Sequence, residues 1–335
     1  MTAGAARPRI NLVAWDNGFG LTRELRLIAD TLGAAGMDVH VSPVRRGKLR
    51  KWLRPWRMRA LAWRERLRGR DPRALYAANL LIEHVRPEDL PLARRNLFSP
   101  HPEWCLAKDV ALLPAIDLVL AKTRHAEPIF QQLGCRTAFV SSTSEDRMDR
   151  AVPRRRAFFH LAGRSQNKGT EALLALWRRH PEWPLLTVLQ NPRTAQPGPP
   201  ASNIDHRVGY VTDAEVRELQ NSHRFHLCPS ETEGFGHYLM EAMSVAAVTL
   251  ATDAAPMNEL VTPERGLLVG WSRTGRQALA TTYFFDEAAM EAAVERALAL
   301  SDAECEAIGA RARAFYERND REFRQLLAAA VAAAL

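Results

Sequence analysis

Apolar residues lead the chain in a short dense run, Ile10, Leu12, Val13, Ala14 and Trp15, interrupted only by Asn11. A run of this length bounded by turn residues reads as a strand buried on both faces. Asp16, Asn17, Gly18, Phe19 and Gly20 follow as a glycine turn. Beyond it Leu21, Leu25, Ile28, Ala29 and Leu32 recur at three- and four-residue steps, the period of an amphipathic helix. Gly33 and Gly36 end that helix, and Asp38, Val39, His40 and Val41 start a second strand. Further strand patterns lie at residues 79–85, 96–98, 118–121 and 138–141.

The rhythm then restarts. Behind the basic run Arg154, Arg155 and Arg156 comes an apolar strand at 157–162, then a turn from Gly163 to Gly169 and a helix at 170–178. Strands at 185–189, 206–211, 225–228, 248–251 and 267–269 follow, with helical patterns between most of them, including 237–245. Pro-rich residues 192–200 read as a surface loop, and helical patterns at 286–300, 302–318 and 321–334 close the chain. Strands alternating with helices twice over predict an α/β chain of two Rossmann-like, doubly wound domains. At roughly 100–200 residues per domain, 335 residues suffice. The expected division is 1–152, 153–318 and a final helix at 319–335 that packs back on the first domain.

Composition narrows the class. No stretch of eighteen apolar residues occurs, and residues 1–9 lack the hydrophobic segment of a secretory signal, so a cytoplasmic protein is expected. Cys105, Cys135, Cys228 and Cys305 are scattered without a Cys-x-x-Cys pair, which fits free thiols. Net charge is +8, yet residues 45–70 alone hold twelve Arg or Lys against Glu65, or 12 − 1 = +11. Within that stretch Leu49, Trp52, Trp56, Trp63 and Leu67 alternate with arginines at near-helical spacing interrupted by Pro55. Trp with Arg suits an anionic membrane surface. A structural helix with its tryptophans on the core is the other reading, and nucleic acid a weaker third.

The most informative run is Ser230, Glu231, Thr232, Glu233, Gly234, Phe235, Gly236, His237, Tyr238, Leu239, Met240, Glu241. It joins a strand to a helix, so its glycines sit where free backbone N–H groups and the positive end of a helix bind phosphate. Glu233 and Glu241 bracket the turn, and carboxylates accept hydrogen bonds from sugar hydroxyls. The run resembles the Glu-x7-Glu signature of the retaining GT-B glycosyltransferases, family 4 in particular. The resemblance extends from about residue 158 to 269 and includes Thr252, Asp253, Ala254, Ala255, Pro256, Met257, Asn258, Glu259, Leu260 and Val261, with Ala247 in place of the usual glycine.

The resemblance implies two Rossmann-like domains facing a cleft, with a nucleotide-sugar donor held by the second and an acceptor entering from the first. UDP-sugar is favoured as donor and GDP-sugar next. The implied acceptor is a glycan, lipid-linked or other hydroxyl compound, in cell-surface polysaccharide or glycolipid assembly. Glu233 would contact donor-sugar hydroxyls and Glu241 the ribose, while the N–H groups of Gly234, Phe235 and Gly236 face sugar and phosphate. Gly163, Arg164 and Lys168 would meet the diphosphate, although the Arg-to-Lys spacing is one residue shorter than the usual pattern. Gly18 and Gly20 would face the diphosphate from the other domain, with Asp16 beside them. The family's mechanism needs no protein nucleophile, because the leaving phosphate helps deprotonate the acceptor. No Asp-x-Asp clamp with strand context is present, so neither metal nor other cofactor is expected.

In the first half Glu83 and His84, then His101 and Glu103, then Lys122 follow strand patterns and are the acceptor-side candidates, with His101 able to relay a proton or polarise the donor sugar. The alternative is a non-catalytic protein of the same fold that docks an anionic membrane or nucleic acid through residues 45–70.

Overall fold

The computed structural model describes residues 7–15, 20–44, 48–196 and 198–335. Asp16 and Gly18 of the glycine turn, and residues 45–47 of the basic stretch, lie outside them. The chain forms two compact units, Met1–Thr143 with Asp320–Leu335, and Ser144–Asn319.

The first unit is built on strands β1 (Arg9–Trp15), β2 (Asp38–Val44), β3 (Tyr76–Ile82), β4 (Ala93–Ser99), β5 (Leu118–Ala121) and β6 (Thr137–Phe139). They form one parallel sheet in the order β2-β1-β3-β4-β5-β6. Helices α1 (Gly20–Ala34), α2 (Lys48–Leu67), α3 (Ala107–Val110) and α4 (Ala126–Gln132) join the strands. Ile10, Leu12, Leu80 and Leu97 are fully buried, as a parallel sheet covered on both faces requires. A polar ladder crosses this core. Ser42 Oγ donates to Asn11 Oδ1, Asn11 Nδ2 to Asn79 Oδ1 and Asn79 Nδ2 to Asn96 Oδ1, at 2.7, 2.8 and 2.8 Å. The ladder pins the register in which Asn11 and Asn96 both stand opposite Asn79.

The second unit repeats the plan with β7 (Arg155–Gly163), β8 (Leu186–Gln190), β9 (Ile204–Val208), β10 (His223–Cys228), β11 (Val248–Thr252) and β12 (Leu267–Val269), in the order β12-β11-β10-β7-β8-β9. Its helices are α5 (Thr170–Arg179), α6 (Asp213–Ser222), α7 (His237–Ser244), α8 (Met257–Leu260), α9 (Glu287–Ala299) and the start of α10 (Asp302–Ala334).

Three features depart from the sequence reading. A hairpin of β13 (Trp271–Gln277) and β14 (Ala280–Phe285) occupies a stretch given no element, because the outward side of β13 carries no apolar period. The two expected terminal helices are one, α10. Asn319 and Asp320 resemble a break in sequence, yet Ile308, Ala312, Tyr316, Phe323, Leu327 and Val331 keep one buried stripe through them. The first three pack in the second unit and the last three in the first. The strand expected at 79–85 ends at Ile82, because Glu83 adopts φ 66° and leaves the sheet.

Candidate active site

In the second unit two loops leave the carboxyl ends of neighbouring strands. The first leaves β7 at Gly163, passes the exposed Arg164 and presents Lys168 just before α5. Gly169 has φ 63°, and a Cβ there would stand 2.7 Å from the Pro229 carbonyl oxygen, so only glycine lets this loop press on the end of the next. The second loop leaves β10 and enters α7 through Gly236, at φ 107°. The Glu231 N–H donates to the Asn167 carbonyl at 2.9 Å and ties the loops together. The hairpin braces both: Asn167 Nδ2 donates to Gln277 Oε1 at 2.9 Å, and the Tyr283 N–H to the Glu231 carbonyl at 2.7 Å.

This packing brings Lys168 and Glu233 together. Lys168 Nζ pairs with Glu233 Oε1 and lies 3.4 Å from the centroid of the Tyr238 ring. The Ser230 hydroxyl donates to the same carboxylate oxygen and contacts the Tyr238 hydroxyl. Burial, reinforced by Cys228 and Glu233, pushes the Tyr238 phenol well above its usual range, so it stays neutral. The Cys228 thiol beneath is pushed up by the same burial and is inert. Gly234, Phe235 and Gly236, all buried, lead into the N-terminus of α7. A cation, a carboxylate and helix-end N–H groups on adjoining turns can together hold a phosphate and the hydroxyls attached to it.

Glu241 lies further along α7, buried, in its own chain of hydrogen bonds. It accepts from Gln220 Nε2 at 2.7 Å; Gln220 Oε1 accepts from Arg147 Nε at 3.0 Å; Arg147 Nη1 reaches Asp213 Oδ2 at 2.9 Å. Gln220 and Arg147 escaped the sequence reading because nothing in α6 or the segment at 144–150 marks them as partners of a distant glutamate.

The first unit gathers most of the acceptor-side candidates. Glu83 and His84 follow β3, His101 follows β4 and Lys122 follows β5. Lys122 Nζ contacts His101 Nε2 and Glu24 Oε1. His101 Nε2 also lies 3.6 Å from Glu24 Oε2, and its Nδ1 lies 3.9 Å from Glu83 Oε1. Burial and the Lys122 charge push His101 down, but Glu24 and Glu83 outweigh them and raise it to about 9. Glu83, although burial opposes it, is held below the usual carboxylate range by hydrogen bonding to His101 and by the charges of His101, His84 and Lys122. His84 Nδ1 pairs with Asp109 Oδ2 at 3.0 Å. Glu103 is buried in the turn at Pro102–Trp104. Glu24 had a legible signal, an acid beside Leu21, Leu25 and Ile28 on the apolar stripe of α1; Asp109 had none.

Helix α2 settles one alternative. Trp52, Trp56 and Trp63 are 65, 58 and 63 % exposed, while Met58, Leu61 and Ala62 pack on the core with Tyr76 and Leu92. The tryptophans therefore do not pack on the core, and Pro55 lies inside the helix rather than ending it. Among the described residues no helix is long and apolar enough to cross a membrane, and no group of three or more His, Cys, Asp or Glu is placed to hold a metal ion.

Residues 155–298 match the family described as "Glycosyl transferases group 1". Comparison with curated protein sequences gives no match. Among solved structures, sucrose-phosphate synthase from Thermosynechococcus elongatus is similar at TM-score 0.69 and 16 % identity, over 98 % of this chain and 100 % of that one. The Anabaena HepE protein, solved with UDP and glucose, gives 0.68 and 13 %, over 98 % and 100 %. Trehalose-6-phosphate synthase, studied for glycosyltransfer with retention, gives 0.66 and 14 %, over 98 % and 99 %. The fold is GT-B, and residues 155–298, within the second unit, are similar to the group 1 glycosyl transferases.

Proposed function

We propose that the chain is a retaining, family 4-type glycosyltransferase that moves a sugar from a nucleoside diphosphate donor, UDP-linked by preference and GDP-linked next, to an acceptor hydroxyl without a metal. The observation that carries the reading is the contact of Lys168 with Glu233 across two strand-to-helix turns. Donor binding exchanges that pair for two new ones, Lys168 with the diphosphate and Glu233 with sugar hydroxyls. As the bond from the anomeric carbon to the phosphate oxygen breaks, its electrons leave with the diphosphate, and Lys168 offsets that charge. Arg164, on the same loop, adds a second cation. The acceptor oxygen bonds to the same face of the anomeric carbon, and its proton passes to the departing phosphate. Glu241, fixed by Gln220, holds the ribose, and Gly234 to Gly236 offer N–H groups to the phosphate. UDP or a UDP-sugar in the HepE structure supports the choice of nucleotide.

The acceptor side falls to the first unit's cluster. The exposed tryptophans of α2 and its arginines suit the inner face of an anionic membrane, and hence a lipid-linked acceptor in surface-glycan assembly. The test is product analysis: incubation with nucleotide sugars and octyl glycosides in EDTA, with the anomeric configuration read by NMR. A product of unchanged configuration is expected; an inverted one would refute retention, and a requirement for added metal would refute the metal-free reading.

A further inference from the structure

The two histidines of the first unit's cluster are not equivalent. His101 Nε2 contacts the Lys122 ammonium, and its Nδ1 stands 3.9 Å from Glu83 Oε1. His84 has a carboxylate as its close partner instead of a cation: Nδ1 pairs with Asp109 Oδ2 at 3.0 Å, so in the neutral ring Nδ1 carries the hydrogen and Nε2 the lone pair. The ion-pair partner of Nε2, Glu83 Oε2, stands 3.9 Å away, beyond hydrogen-bond range. The side chain is 18 % exposed, more than His101 at 12 % or Lys122 at 2 %.

Asp109 has no such freedom. It is fully buried, its Oδ1 accepts from the Val85 N–H and its Oδ2 from the Leu106 N–H, both at 3.0 Å, and these bonds fix the oxygen that His84 meets. The residue before His84 is Glu83, in a left-handed conformation that costs a non-glycine residue free energy and tends to persist at functional sites.

We infer that His84 Nε2 accepts a hydrogen bond from a hydroxyl of the acceptor other than the one that reacts, and that Asp109 is the positioning residue that sets its tautomer and ring orientation. The inference rests on the glycosyltransferase reading above. The carboxylates of the cluster, Glu24, Glu83 and Asp109, outnumber its cations, Lys122 and His101, so an uncharged hydroxyl-bearing group is favoured over a phosphate as the part of the acceptor read here.

The test is steady-state transfer from a UDP-sugar to octyl glycosides by the wild type, His84→Ala, Asp109→Asn, Asp109→Glu and the His84→Ala/Asp109→Asn double variant, with donor affinity measured by calorimetry. His84→Ala and Asp109→Asn should each lower kcat/KM for the acceptor by about tenfold to a hundredfold. Donor affinity should hold, Asp109→Glu should restore part of the loss, and the double variant should transfer no worse than His84→Ala. A purely structural Asp109 would instead add its full cost to transfer in the His84→Ala background, which overturns the inference. Wild-type transfer by His84→Ala, with donor bound, overturns it as well. A wild type that binds no nucleotide sugar overturns the reading beneath it, and the inference with it.

Discussion

Lys168 and Glu233 stand 65 positions apart in sequence, on turns that leave two neighbouring strands, and their side chains form a direct ion pair. The contact exists because Gly169 lets the first loop close on Pro229 and because the Glu231 N–H bonds the first loop's backbone.

Replacing Lys168 with alanine should lower turnover by about 10²–10³, the usual cost of losing one preorganised charge-stabilising group, with little loss of fold. Its side chain is 12 % exposed and its partner 14 %, so Glu233 regains solvent contact. Kinetics with a melting curve separate the two effects. An unfolded variant, or an active one, would contradict the role.

Gln220→Leu should weaken donor affinity and cost about 1–3 kcal/mol of stability, because it removes the amide that donates to Glu241 and accepts from Arg147 Nε inside the core. Glu241→Ala should weaken the donor more. Calorimetry and urea denaturation check both; unchanged donor affinity in Glu241→Ala would remove the ribose assignment.

The fold's outline was legible because buried parallel strands announce themselves as apolar runs: residues 118–121 and 267–269 were read with the boundaries they have. What was not legible depends on contacts between distant residues. Asn319 looks like a helix end until the stripe from Ile308 to Val331 is followed past it, and the hairpin at 271–285 has too few buried positions to show a period. Lys168 and Glu233 each stood out in their own motif, but their meeting is a property of strand order, as is that of Asp109 with His84.

The amide ladder predicts that Asn79→Leu costs about 1–3 kcal/mol, since it takes from Asn11 Nδ2 its acceptor and from Asn96 Oδ1 its donor within the core. Urea unfolding measures it, and a neutral substitution would show that the ladder adds nothing.

The units should respond oppositely to pH. Burial pushes His160, His223 and His226 from 6.5 to about 4, 4 and 3. The unfolded chain takes up these protons below pH 6.5 and the folded chain does not, so the second unit's stability is full above 6.5 and falls as the pH drops toward 4. His101, raised to about 9, contributes stability to the first unit that is present below 6.5 and lost as pH rises through 9. Hydrogen exchange resolved by unit checks the two signs above about pH 5, where Glu83 and Asp109, both held below the usual carboxylate range, stay ionised; parallel behaviour there would contradict them.

Replacing Trp52, Trp56 and Trp63 with serine should abolish binding to phosphatidylglycerol vesicles and change stability by no more than about 0.5 kcal/mol, because all three are exposed. Vesicle co-sedimentation decides it, with equal binding by wild type and variant the contrary result.

The central claim is that the second unit binds a nucleotide sugar. Its most direct test is a thermal shift of the purified protein with UDP, GDP, ADP, dTDP and their common sugar conjugates in EDTA, since a ligand of the folded state must raise its stability, by about 2.7 kcal/mol at a hundredfold excess over Kd. A clear shift with one nucleotide, most readily UDP, that fails in Glu241→Ala is the expected result; no shift with any of them at millimolar concentration would contradict nucleotide-sugar binding by the second unit.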